Sequence, residues 1–202
     1  HNHCMMTPEF AELSLATHSA VQSGKWSDQD TWGGVIPNND AIVHIPQDME
    51  VTINQAIDAR IETVRIDGSL SFNPDVDTQL NVDTLYSSCT GTLQIGTEAQ
   101  PINADVSARV VFIDDGPITD SKLLSRGAVL QGQTVMHGAA KTHRVTLAAF
   151  ANAGDTRLHF NETPVGWKIG DEIVVTGTTP NDPRSDEIRR ISQINGSYLD
   201  LN

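Results

Sequence analysis

Residues 41–53, Ala41-Ile42-Val43-His44-Ile45-Pro46-Gln47-Asp48-Met49-Glu50-Val51-Thr52-Ile53, decide the fold class. Val43 with Ile45, and Val51 with Ile53, recur at every second residue, the period of a strand with one buried face. Pro46-Gln47-Asp48 supplies a turn between them. The same unit returns further along as Val64, Ile66, Gly68, Leu70 and Phe72, and again as Leu85, Gly91, Leu93, Ile95 and Gly96. The irregular spacing of about two dozen residues is that of stacked coils. A strand this short cannot bury its own apolar face, so laying coil upon coil is the physical solution. The pattern predicts an all-β chain, a right-handed parallel β-helix.

Further strands are predicted at 108–113, 128–136, 144–148, 157–160, 172–176, 188–194 and 198–201. An antiparallel sandwich would also show short alternating strands. Asn-Gly or Asp-Gly turns at regular hairpin spacing, its usual sign, are missing, although Asp67-Gly68 and Asn195-Gly196 leave room for local hairpins. Before these strands, residues 7–20 predict one short capping helix, with Thr7 as N-cap and Pro8 at the first helical position. Such a cap would cover the open end of the coils.

With 202 residues, 15 Gly, 9 Pro and few aromatics, the chain can bury a sizeable core and favours turns over long helices. Its net charge of -13 repels phosphate backbones, and its basic residues form no stripe, so nucleic acid is excluded as a partner. No apolar run approaches the ~20 residues that cross a bilayer, so no membrane insertion is expected. The abrupt start at His1, and the stop at Asn202 directly after a strand-like run, predict a piece of a longer protein. Cys4 and Cys89 are too far apart for a Cys-x-x-Cys site, and sequence alone leaves a disulfide and two separate thiols equally open.

The segment Gly24-Lys25-Trp26-Ser27-Asp28, then Thr31-Trp32-Gly33-Gly34, Pro37, Asp40 and Val43-His44-Ile45-Pro46, resembles the opening of the eight-glycine (G-eight) domain family. Val51-Thr52-Ile53, Ile66-Asp67-Gly68-Ser69-Leu70-Ser71-Phe72 and Gly91-Thr92-Leu93-Gln94-Ile95-Gly96-Thr97-Glu98 follow in the same order. Val165-Gly166-Trp167-Lys168-Ile169-Gly170-Asp171-Glu172-Ile173 resembles the segment after that domain in the same proteins. The resemblance implies three parts: an N-terminal segment with the capping helix (1–22), an eight-glycine-like β domain (23–118) and a continuation of the β-helix (119–202). It also implies a secreted or cell-surface location, since the family includes hyaluronan-degrading proteins and the fibrocystin group, and contact with a polysaccharide or glycan. A chain of charge -13 favours a neutral glycan over polyanionic hyaluronan.

Three sets of residues carry candidate chemistry. His1, His3, Cys4 and Met5 gather imidazole, thiol and thioether, a donor set for copper, or for zinc through His and Cys alone; calcium is a further candidate ion on an acidic chain, and no organic cofactor is expected. Trp26 and Trp32 flank Asp28, an arrangement that stacks a sugar on an indole while a carboxylate accepts its hydroxyls; the competing reading has both indoles plugging the first coil. Asp171, Asp186 and Glu187, with Asp114, Asp115 and Asp182, are the carboxylates from which a glycosidase pair would be drawn. Asp171 follows Gly170, where Asp commonly satisfies local backbone donors. His137 and His143 flank a small-residue loop, and His44 is expected to face away from the core side of Val43 and Ile45. The leading expectation is an extracellular polysaccharide-binding or polysaccharide-processing module, with a metal-binding domain or a structural and adhesive spacer as alternatives.

Overall fold

The computed structural model describes residues 10–113, 126–177 and 186–202. The chain divides into two compact units, His1–Gly138 and Ala139–Asn202. Among the described residues, no helix is long and apolar enough to cross a membrane.

The first unit holds β1 (His18–Ser19), β2 (Gly24–Lys25), β3 (Ile42–Ile45), β4 (Glu50–Ile53), β5 (Ala56–Ile66), β6 (Ser69–Phe72), β7 (Thr78–Ser87), β8 (Thr92–Ile95), β9 (Ala108–Phe112), β10 (Gly127–Leu130) and β11 (Gln133–Met136). The chain passes back and forth between two sheets, and every pairing in them is parallel. One sheet runs β1-β3-β5-β7-β10, with β9 also on β7; the other runs β11-β8-β6-β4-β2. The long β7 changes partner along its length, pairing β9 through Thr78–Val82 and β10 through Thr84–Ser87.

Register explains the period-two pattern. Val43 stands on Val64 and Val64 on Leu85 in one sheet. Val51 stands on Leu70 and Leu70 on Leu93 in the other. All six are buried, as are Ile45, Ile53, Ile66 and Phe72 in the adjacent columns. Each fully buried side chain of this kind contributes roughly 1.5–3 kcal/mol, and none would be covered without the neighbouring parallel strands.

The corner between the sheets is a column of glycines. A Cβ on Gly68 would lie 2.2 Å from the Pro46 carbonyl oxygen, one on Gly91 2.1 Å from that of Ile66, and one on Gly132 2.0 Å from that of Gly91. Only glycine lets each corner approach the one beneath it closely enough to continue the ladder. The ladder does continue: Gly68 N–H donates to Ile45 O at 3.0 Å, and Thr92 N–H to Gly68 O at 2.8 Å.

No helical cap forms in the described part of residues 7–20. Leu13–Leu15 make one 3₁₀ turn without a side-chain cap, and His18–Ser19 add a strand to β3 instead. The exposed edge of β3 is the reason. Thr17 N–H donates to Ile42 O at 2.8 Å, Ala20 N–H donates to His44 O at 3.0 Å, and Ile42 N–H donates back to the Thr17 hydroxyl at 3.0 Å. A helix of these residues would have no apolar stripe to bury, since Leu13 and Leu15 remain exposed.

From Arg157 onward the parallel pattern stops. The second unit is a four-stranded antiparallel sheet of β12 (Arg157–His159), β13 (Glu172–Val175), β14 (Glu187–Asn195) and β15 (Tyr198–Leu201), in the order β12-β15-β14-β13. The Asn195-Gly196 signal is a true hairpin turn, since Asn195 pairs with Tyr198 and Gly196 takes φ +58° at the first loop position. Residues 144–148 make no strand, only a bridge from Leu147 to Phe160. Leu158, Phe160, Ile191, Leu199 and Leu201 form a small core.

Candidate functional site

The strand pleat that turns Val51, Leu70 and Leu93 inward turns their neighbours outward. On the outer face of the β2-β4-β6-β8-β11 sheet, Lys25, Thr52, Ser71, Gln94 and Val135 stand in one column, and Glu50, Ser69, Thr92 and Gln133 in the next. Thr52 and Ser71 share a hydrogen bond of 2.9 Å. The result is a patch of uncharged hydroxyls and amides centred on β6 and β8 and repeated at the strand spacing of about 4.8 Å, with Lys25 and Glu50 at its β2 and β4 margin.

The outer face of the other sheet is charged and closed. His44 does turn away from the core: its Nε2 lies 2.9 Å from Asp67 Oδ2, which also accepts from Arg65 Nε at 2.9 Å. Burial alone would raise the Asp67 pKa, but hydrogen bonds from His44, Arg65 and Ser88, with the Arg65 charge, hold the carboxyl well below the usual range. Arg65 also donates to the Phe10 and Ala11 carbonyls at 3.2 and 3.0 Å and lies over the Tyr86 ring. Phe10 packs on that same ring. Every group in this cluster is engaged by a neighbour. A more deeply buried carboxylate, Asp83, is bridged by Arg60 and approached by Arg126 at 3.9 Å.

Trp26 and Trp32 keep only 2% and 6% of their surface exposed and pack edge to face at 4.9 Å, with Trp32 Nε1 donating to Trp26 O at 2.8 Å. Both indoles belong to the core, so neither offers a face to a sugar, and Asp28 is left alone at the surface. His1, His3, Cys4 and Met5, with Asp114, Asp115 and Asp182, lie outside the described residues. Among the described residues, no group of three or more His, Cys, Asp or Glu is placed to hold a metal ion. Cys89 is disulfide-bonded, and the sequence holds one other cysteine, Cys4.

The late carboxylates are each held locally. Asp171 accepts from Lys141 Nζ at 2.6 Å and from the Lys168 N–H at 2.9 Å, and the Lys141 hydrogen bond comes first among the causes that lower its pKa. Asp186 accepts the Gly177 N–H at 2.9 Å, and Glu187 pairs with Arg189. Only Asp171 of the three lines the cavity of the second unit, a space of about 670 Å³. Val145, Leu147, Leu158, Phe160 and Trp167 form part of its wall, with His143 and Arg144 also lining it. This cavity escaped the sequence reading because its wall is drawn from residues 141–176 with no shared periodicity. His137 belongs to the first unit, is exposed, and uses its backbone N–H on Ile95 O at 2.9 Å.

The sequence profile of the G8 domain matches residues 31–149. The chain belongs to the G8 domain family. Among its relatives, this G8 chain is 28% identical to fibrocystin-L of Mus musculus over 158 residues, which is 76% of the chain and 4% of that protein. It is 29% identical to fibrocystin-L of Homo sapiens over 159 residues, again 76% of the chain and 4% of the relative. Fibrocystin of Mus musculus is 29% identical over 140 residues, 66% of the chain and 3% of the relative. The chain therefore spans only a small part of the curated relatives it matches. No solved structure matches it.

Proposed function

We propose that this G8 chain is an extracellular polysaccharide-binding module, with its parallel strands wound as a right-handed parallel β-helix. The observation that carries the reading is the outer face of β6 and β8, where Ser69, Ser71, Thr92 and Gln94 repeat in register without a charged residue among them, continued by Thr52 on β4, with Glu50 and Lys25 at the margin. Sugar hydroxyls both donate and accept, as do these side chains, and a repeating surface suits a repeating polymer. The disulfide at Cys89 supports an oxidising, extracellular setting. The charge of -13 favours a neutral polymer.

Binding, not cleavage, is proposed. A glycosidase acid needs a raised pKa, and Asp171, the carboxylate of the predicted set that reaches the cavity among the described residues, is shifted the other way. A glycan array probed with the full chain tests the reading: saturable binding to neutral polysaccharides is expected, weakened roughly tenfold by Thr92→Ala with Gln94→Ala. Absence of binding across neutral and anionic glycans would overturn it and leave the chain as a structural spacer.

A further inference from the structure

The cavity of the second unit has an interior and a mouth of opposite character. Its interior is the apolar core of that unit left open: Leu158 and Phe160 are core residues, and Val145, Leu147, Trp167 and Ile173 pack against them. A sugar placed here would bury hydroxyls against these side chains without partners, which costs affinity. An aliphatic chain would instead replace water along the whole wall.

Most of the polar groups around the cavity already serve one another. Lys141 pairs with Asp171 at 2.6 Å, Glu172 with Arg190 at 2.7 Å, and the Trp167 indole N–H donates to the Thr142 carbonyl. Arg144 and His143 differ: both line the cavity, both are exposed, and neither has an ion pair or side-chain hydrogen bond among the described residues. An unpaired guanidinium at an apolar cavity is complementary to one kind of small molecule. We propose that this cavity binds an amphipathic anion, an unbranched aliphatic chain lying against Leu147, Leu158, Phe160 and Trp167 with a terminal carboxylate paired to Arg144. The space of about 670 Å³ is within the usual range for pockets that enclose a small organic ligand. The inference is independent of the glycan surface, which lies on the first unit.

Titration of the full chain with sodium dodecanoate below its micelle concentration tests it, read by calorimetry and by tryptophan emission. Trp26 and Trp32 are buried in the first unit, so an emission change abolished by Trp167→Phe reports the cavity. One saturable site is expected, with dodecan-1-ol and the Arg144→Gln variant each weakening binding roughly tenfold, the effect of losing a charge-assisted hydrogen bond. Arg144 is exposed and has no ion pair among the described residues, so its substitution leaves the fold intact, and the alcohol comparison needs no variant. Equal affinity for acid and alcohol, no saturable binding, or displacement by a neutral oligosaccharide would overturn the proposal. The last result would assign the cavity to sugars, while failure of the glycan array would leave this inference standing.

Discussion

The two units bury apolar residues by different means. In the first, the inward columns are continued from strand to parallel strand, and Val43, Ile45, Val51, Ile53, Val64, Ile66 and Leu70 are completely buried. In the second, a short antiparallel sheet closes on one small core and leaves part of it lining a cavity. Repetition lets the first unit fill its interior with identical small steps, which suits it to rigidity. The second has no such repeat, and the unfilled volume is where a small ligand would gain by displacing water.

Substitutions can break this contrast or sharpen it. Leu70→Ala empties a site enclosed by neighbours on both sides in the column and should cost about 4 kcal/mol in urea denaturation. Asp83→Asn removes the charge that Arg60 neutralises inside the first unit and should cost about 3 kcal/mol. Gly91→Ala forces a methyl against the Ile66 carbonyl oxygen and should cost about 2 kcal/mol, with the loss centred on the β6-β8 corner in hydrogen exchange. Acid should act more gently. The Asp67 carboxyl has a folded pKa below its unfolded value of about 3.9, so its stabilisation is present above that value and lost as pH falls from there through the lower folded value. Asp67→Asn should flatten the pH dependence of the unfolding midpoint below pH ~4. Smallest of all, Leu147→Ala, on a half-buried cavity wall, should cost about 1 kcal/mol while still weakening dodecanoate binding. A cost at Leu147 equal to that at Leu70 would erase the contrast between the units.

Sequence made the ladder legible because burial on one face imposes period two on Val43, Ile45, Val51 and Ile53, and a repeated coil imposes the same residues again. The eight-glycine resemblance read from Gly24 to Glu98 identified the family. The two-residue strands β1 and β2 carry no periodicity and could not be seen, and Thr7-Pro8 suggested a helix where backbone groups on the edge of β3 drew the following residues into a strand. The predicted run at 128–136 is two strands, β10 and β11, broken at Gly132, whose corner role resembles that of Gly68 and Gly91 only once the coils are stacked. Trp26 and Trp32 have the composition of a sugar platform, and exposure alone separates that from a core plug. Asp83 and Arg60 lie 23 positions apart and meet only through the register of β5 on β7. The cavity has no local signature, since an unfilled space follows from how side chains fail to meet.

Residue-resolved amide hydrogen exchange on the full chain, with and without dodecanoate, tests most directly the claim that one unit supplies rigidity and the other a binding cavity. The account predicts the slowest exchange in β4, β6 and β8, unchanged by dodecanoate, and ligand-dependent slowing confined to residues 141–176. Equal protection of the two units without ligand, or slowing that spreads through the parallel strands on its addition, would contradict it.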